Sequence, residues 1–283
     1  MAIIECASSQ PGIPSVSVQV DNITNEQVSY AQRRLDQLIR TEDQVSTAVA
    51  IAFIMAIEES PYANPSDIWQ HVIYRHLINS GWSDNRWKRV SGYALERAFV
   101  RLYENRLLPF GLRMRILPAQ IANNLLKQLG VTDIRAMKVD LFLDGKIGNE
   151  WHVFGAVHVK SSIAERIQDD VPASRVLMDK GLLSVALTMD SKSYPPPHGN
   201  GINYGELGGR SSDIEKERLK RGYIENDGQF DGMFSFNLRT PPSPTNTVSG
   251  KRIYTMSMHE QHPDQFVRFL VERWRSHARG LTV

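Results

Sequence analysis

Two charged residues, Asp140 and Lys160, stand where two predicted β-strands come together. Asp140 lies in an apolar segment between Val139 and Leu141, where burying a carboxylate is costly unless it pairs with a cation. Lys160 ends the next apolar segment, and His158 lies on the same face because alternate strand residues point the same way. We therefore expect Asp140, His158 and Lys160 to face a common site.

A carboxylate beside an ammonium group suits the hydrolysis of a phosphodiester bond. The carboxylate holds Mg²⁺ against the scissile phosphate, and the ammonium group offsets developing charge or helps to deprotonate the attacking water. Such a site normally needs a second carboxylate. The alternative is that Asp140 and Lys160 form a structural ion pair at a strand end, and the two residues alone do not decide between these readings.

The order Asp140, Lys160, Glu165 and Arg166 resembles the PD-(D/E)XK nucleases. More narrowly, it is similar to the restriction endonucleases that recognise sites containing CCGG or CCNGG, with the BsaWI and AgeI group as the closest subfamily. In those enzymes the acid two residues before the lysine is replaced by a carboxylate on the following helix, and here His158 occupies the position of the missing acid. The resemblance spans roughly residues 85–200.

The resemblance implies a role for each matching residue. Asp140 becomes the first metal ligand and Lys160 the catalytic lysine. Glu165 would accept from cytosine amino groups and Arg166 would donate to guanine, which are pairings that major-groove geometry favours. The first arginine of the base-reading motif is replaced by Ala164 in this sequence.

The second carboxylate is expected at Asp170, as catalytic residue and metal ligand, with Asp169 as the alternative. The family's usual positions, about a helical turn further on, hold Ala173 and Ser174. Asp170 lies five residues from Glu165, so it need not share a helix face with the base-reading pair.

Further candidates come from an earlier helix and from a later turn. The resemblance implies a catalytic glutamate on the earlier helix, and Glu96 is the candidate. The alternative is that Glu96 is a solvated residue paired with a neighbouring basic side chain, Arg97 or Lys88. Arg86, Lys88 and Arg89 begin that helix and could contact phosphates or bases, with Arg89 as the chosen candidate, unless they are only solvated surface residues. Lys192 and Ser193 follow the third strand, where α/β sheets place ligands, and we expect them to read outer base pairs unless they are structural turn residues.

The predicted fold class is α/β. It has a restriction-endonuclease-like core of the PD-(D/E)XK type, with a mixed central sheet flanked by helices and a helical N-terminal part. The strand, strand, helix, strand order after residue 136 predicts a partly parallel sheet, and Asp144-Gly145 predicts a turn. We expect one endonuclease domain over 1–283, with a mainly helical part over 1–130 and a catalytic α/β core over 131–283.

Composition limits the function classes. The single cysteine cannot form an internal disulfide, the N-terminus has no export-signal pattern, and the longest apolar run has ten residues, so we expect a cytoplasmic protein without a membrane span. The net charge of +2 means that any DNA site depends on local clusters of basic residues.

These observations together predict a type II restriction enzyme. It would be a Mg²⁺-dependent homodimer that cuts double-stranded DNA at a CCGG-type palindrome without a small-molecule cofactor. The alternatives are a repair or structure-specific nuclease with the same core, and a catalytically inactive DNA-binding protein.

Overall fold

A six-stranded mixed sheet forms the centre of the protein. The computed structural model describes residues 1–6, 15–132, 139–163, 167–191, 203–207, 214–260 and 262–281. The strands lie in the order β3-β4-β5-β6-β7-β8, antiparallel from β3 to β5 and parallel from β5 to β8. The bounds of these strands are β3 Leu112–Arg115, β4 Leu141–Ile147, β5 Glu150–Lys160, β6 Leu183–Thr188, β7 Gly232–Ser235 and β8 Ile253–Thr255.

The helices precede the sheet in the chain and then alternate with its parallel strands. They are α1 Asn25–Thr41, α2 Val45–Glu59, α3 Pro65–Asp67, α4 Arg75–Asn79, α5 Asp84–Leu107, α6 Ala119–Gln128, α7 Ile167–Asp179, α8 Ile214–Glu225 and α9 Gln265–Leu281. A π-helical segment, Ile68–Tyr74, joins α3 to α4, and a short 3₁₀ turn, Leu108–Phe110, follows α5. A separate antiparallel hairpin, β1 Ala2–Cys6 and β2 Val16–Val20, stands at the N-terminus.

Local sequence signals set several of these helix boundaries. Thr24 and Gln27 form the predicted capping box at the start of α1, because each side chain bonds the other residue's backbone nitrogen. Ser83 caps α5 through the backbone nitrogen of Arg86. Among the described residues, no helix has the length and apolar character needed to cross a membrane.

One hydrophobic core joins the helical part to the sheet. Phe53 of α2 and Phe99 of α5 belong to the same buried cluster as Val157 of β5, Val185 of β6 and Phe266 of α9. The opposite face of the sheet is covered by α6, α7 and α8. Since helices cover both faces, β5 and β6 are buried over most of their length, as expected for parallel strands.

The predicted turn at Asp144-Gly145 is wrong. β4 continues through these residues with a bulge between Leu143 and Asp144, and the chain reverses at Gly148 instead. The Asp144 carboxylate is fully buried and accepts from the guanidinium groups of Arg113 and Arg115 on β3. Long-range pairing of the carboxylate therefore overrides the local turn preference.

Gly145 lies directly beneath the indole of Trp274 on α9, and this contact generates a stability prediction. A Cβ at Gly145 would lie 2.2 Å from Trp274 Cδ2, so Gly145→Ala forces the sheet and helix apart. We expect the free energy of unfolding to fall by about 1–3 kcal/mol in chemical denaturation.

Gly280→Ala is the matched control for this substitution. Gly280 lies on the same helix as Trp274, and no described atom comes within 4 Å of a Cβ placed there. The control should leave stability unchanged or slightly raised, because alanine has the higher helix propensity. Equal stability of Gly145→Ala and the wild type would contradict the close packing of α9 on β4.

Candidate active site

An open cleft of about 410 Å³ lies where β5 and β6 end, between α5 and the π-helical segment. The carboxyl ends of parallel strands are the usual place for a ligand site in an open α/β sheet. The residues that line it are Trp69, Gln70, Tyr74, Asp84, Trp87, Lys88, Ser91, Gly92, Glu96, Asp140, Val159, Lys160, Ser161, Ser162 and Ser191.

Lys160, which lines this cleft, contacts two carboxylates, one that also lines the cleft and one buried behind it. Its Nζ lies 3.5 Å from Asp140 Oδ2 and 2.7 Å from Asp170 Oδ2. Asp140 immediately precedes β4, and its Oδ2 accepts from the backbone nitrogen of Val159 at 2.7 Å, which fixes the carboxylate against β5. Asp170 reaches the ammonium group from α7 and is buried, with 4% of the residue exposed.

The electrostatic surroundings keep Lys160 charged. Burial lowers the pKa of Lys160, but the charges and hydrogen bonds of Asp140 and Asp170 outweigh it, so the pKa lies above its ordinary value. Lys160 therefore acts as a fixed cation beside the cleft and is a poor acceptor for a proton from water.

Glu96 adds a third carboxyl group to the cleft. Burial, followed by repulsion from Asp140, raises the pKa of Glu96 to about 8, although Arg97 and Lys160 oppose the shift. Glu96 thus holds a proton at neutral pH in the absence of another cation. A positive charge placed between Glu96 and Asp140 would favour the ionised form of both groups.

This donor set fits a hard divalent cation. Within the described parts of the chain, no group of three or more His, Cys, Asp or Glu side chains is arranged to hold a metal. Mg²⁺ does not need such a cage, because it usually binds one or two carboxylates together with water and substrate phosphate oxygens. The carboxylate oxygens of Asp140, with those of Asp170 and Glu96 close to it, provide ligands of that kind.

The structure places most of the predicted chemical residues together. Asp140, Lys160 and Glu96 line the cleft, and Asp170 contacts Lys160 from behind it. The alternative acid, Asp169, points to solvent. His158 shares a face with Lys160 as predicted, and it lies fully buried with its Nδ1 3.9 Å from Asp170 Oδ2 and its ring against Phe230.

Arg89, which the sequence analysis predicts as a DNA contact, lies near the start of α5. It is exposed on α5 and does not line the cleft, whereas Lys88 does. Cleft-lining residues on α5 recur every three or four positions, and Arg89 lies about 100° around the helix from Lys88. The predicted DNA-contacting residues Glu165, Arg166, Lys192 and Ser193 lie outside the described residues.

The sequence did not predict that the π-helical segment forms one wall of the cleft. All seven residues of the segment are buried. Trp69, Gln70 and Tyr74 line the cleft from this wall. A signal was available, because Gln70 and His71 are polar residues within an otherwise apolar run.

A mixed sheet with helices on both faces, ending in a cleft with Asp140, Lys160 and further acids, defines the restriction-endonuclease class of enzymes. Comparisons with known proteins agree. The BsaWI restriction endonuclease type 2 family matches residues 121–262. The chain is 41% identical over 267 residues to the type II restriction enzyme AgeI of Thalassovita gelatinovora, covering 90% of this chain and 94% of that protein.

A crystal structure of the specific AgeI–DNA complex is similar throughout. It has a TM-score of 0.85 and 38% sequence identity, with 96% of this chain and 99% of that chain covered. The protein therefore belongs to the BsaWI family of type II restriction endonucleases, which are site-specific deoxyribonucleases. Enzymes of this class generally use a divalent metal ion.

Two adjacent aspartates on α7 provide a matched test of the site. Asp170→Asn removes the charge closest to Lys160, so we expect the rate of DNA cleavage to fall by about 10²-fold or more, by analogy with the loss of one fixed electrostatic group from an active site. Asp169→Asn changes a solvent-exposed residue and should cut at the wild-type rate. Single-turnover cleavage of a DNA substrate measures both, and loss of activity in Asp169→Asn alone would contradict the assignment of Asp170.

Proposed function

We propose that this protein is a Mg²⁺-dependent endonuclease that cuts double-stranded DNA within a palindromic site containing CCGG. The observation that carries the proposal is the Lys160 ammonium group, held within 3.5 Å of Asp140 and Asp170 at the floor of an open cleft. Support for the substrate comes from the similar AgeI structure, which is a complex with DNA. Support for the CCGG core comes from the Glu165-Arg166 pair and its likeness to the base-reading motif.

In this proposal Asp140 and Asp170 hold the metal ion, and Glu96 is the third catalytic carboxyl group. The ion would supply Lewis acidity toward the scissile phosphate and lower the pKa of bound water. Asp140 is suited to metal binding because the backbone nitrogen of Val159 fixes one of its oxygens. Glu96 faces the same cleft from α5, so the helical part of the chain completes the acid set.

Lys160 offsets the negative charge that develops on the phosphate during hydrolysis. A lysine is protonated at neutral pH unless its pKa is strongly lowered, and in the metal-free protein the two aspartates favour the charged form of Lys160. A preorganised charge at this position needs no rearrangement as the transition state forms, which is the usual origin of large electrostatic contributions to catalysis.

Recognition is assigned to residues that follow the catalytic strands. We propose that Glu165 and Arg166 read the C and G bases, and that Lys192 and Ser193 read the outer base pairs. We propose that Arg89 contacts DNA from the exposed surface of α5, and that Lys88, which lines the cleft, contacts phosphates there.

The proposed assembly is a cytoplasmic homodimer in which residues 1–283 form one endonuclease domain. Two-fold protein symmetry matches a palindromic DNA site and places one active site on each strand. The shared core of α2, α5 and β5 supports a single domain that includes both the helical part and the sheet. No small-molecule cofactor is required by this chemistry.

Digestion of DNA tests the function directly. Purified protein incubated with unmethylated plasmid or phage DNA and Mg²⁺ should give discrete fragments whose ends map to CCGG-containing palindromes. EDTA should abolish cutting, and added Mg²⁺ should restore it, because the carboxylates alone cannot activate water. Absence of discrete fragments on DNA that contains every palindromic hexamer with a CCGG core would remove the proposal, and cutting confined to branched substrates would favour a structure-specific nuclease.

Substitution of Lys160 separates a catalytic role from a structural ion pair. Lys160→Met keeps the length of the side chain and removes its charge, so we expect cleavage to fall by about 10²–10³-fold. Specific DNA binding in metal-free buffer should remain within a fewfold of the wild type, as judged by gel shift. The control is Lys146→Met, which removes an exposed lysine from β4 and should cut normally. If Lys160→Met cleaved DNA at the wild-type rate, Lys160 would have only a structural role as the partner of Asp140 and Asp170.

A further inference from the structure

We infer that Gln70 is a DNA-contacting residue whose amide nitrogen donates a hydrogen bond to a backbone phosphate of the strand held in the cleft. The inference rests on the proposed function, since it assumes that the cleft receives DNA. It assigns a substrate contact to the π-helical segment, which contains none of the motif residues of the catalytic core.

The first observation is an unsatisfied buried donor. Gln70 is 5% exposed, its side chain lines the cleft, and its Nε2 has no hydrogen-bond partner among the described residues. A buried polar group without a partner costs about 1–3 kcal/mol of stability. Its neighbour Tyr74 is satisfied, because its hydroxyl donates to Asp84 Oδ1 at 2.6 Å. Gln70 thus carries a cost that a bound ligand with an acceptor atom would remove.

The second observation is the backbone that presents this side chain. Single π-helical turns within α-helices recur at functional sites, and here the π-helical segment spans seven residues. Trp69 and Tyr74 lie five residues apart and both line the cleft, which is the spacing of the wider π-helical turn. Gln70 lies between them on this wall. The π-helical segment is buried along its whole length, and it nevertheless places the polar side chain of Gln70 in the lining of the cleft.

The electrostatics of the cleft favour a phosphate oxygen as the acceptor. The carboxyl groups of Asp84 and Asp140 line the same cleft, so an entering phosphate needs donors that face it. Lys88 and Lys160 supply positive charge, and the Gln70 amide supplies a directed neutral donor. Because Gln70 shares the cleft with the catalytic residues, the phosphate proposed as its acceptor lies near the scissile phosphate.

Gln70→Leu tests the contact with little change in side-chain size. Removal of an unsatisfied amide should leave the melting temperature unchanged or raised, since no hydrogen bond is lost in the free protein. We expect single-turnover cleavage to slow by about tenfold, the effect of losing one hydrogen bond to a charged group. A lower melting temperature with an unchanged cleavage rate would overturn the inference, because it would indicate a purely structural glutamine.

Gln229→Leu is the matched control. Gln229 is equally buried, at 4% exposure, but it lies outside the cleft and accepts from Arg175 Nε. Its substitution should lower the melting temperature and leave the cleavage rate of the folded protein unchanged. The two variants are therefore expected to show opposite patterns of stability and activity.

Methylphosphonate-substituted DNA identifies the contacted group. Each phosphate flanking the scissile one is made neutral in turn, and the cleavage rates of the wild type and Gln70→Leu are compared. Neutralising one of these phosphates should slow cleavage by the wild type. The same substitution should cause no further loss in Gln70→Leu, because that variant already lacks the hydrogen bond to this phosphate. Equal loss at every position, or a Gln70→Leu defect that varies with the bases of the site, would overturn the phosphate assignment. If the wild type cuts no DNA at all, the proposed function itself fails.

Discussion

The charge of Lys160, balanced by two aspartates, is the constraint on which the site depends. An ammonium group with little access to water is costly unless carboxylates compensate it, and here Asp140 and Asp170 come from different elements. One precedes β4 and the other lies on α7, so both must pack against the end of β5 for the charge to be tolerated. The hydrogen bond from Val159 to Asp140 ties the carboxylate to the strand that also carries Lys160. The pairing of β4 with β5 and the packing of α7 therefore both contribute to the site.

The helical N-terminal part supplies the other half of the cleft. α5 packs through Phe99 into the same core as Val157 of β5, and Glu96 lies one turn earlier on that helix. The same packing buries the Glu96 carboxyl group, and this burial, with repulsion from Asp140 as the smaller cause, raises its pKa to about 8. Helix packing and the acidity of the cleft are linked through a few residues of α5.

The sequence could predict features that depend on neighbouring residues. The capping box of Thr24 and Gln27, the strand that ends at Lys160 and the pairing of Asp140 with Lys160 all follow from local pattern or from strand alternation. It could not predict that Asp144-Gly145 remains in a strand, because the residues that enforce this lie far away, at Arg115 on β3 and at Trp274 on α9. β3 itself was missed, since its alternating arginines are polar residues whose partner is a buried carboxylate.

The chain connects recognition to catalysis over a very short distance. Only residues 164–166 separate Ile163 from Ile167, and both isoleucines are buried in one cluster beneath the sheet. The proposed base-reading residues therefore have fixed points on each side, one leading back to Lys160 and the other forward to Asp170 on α7. Glu165 lies five residues from Lys160 and five from Asp170 along the chain. Under the proposed function, this proximity along the chain offers a physical route by which binding of the correct bases affects both Lys160 and Asp170.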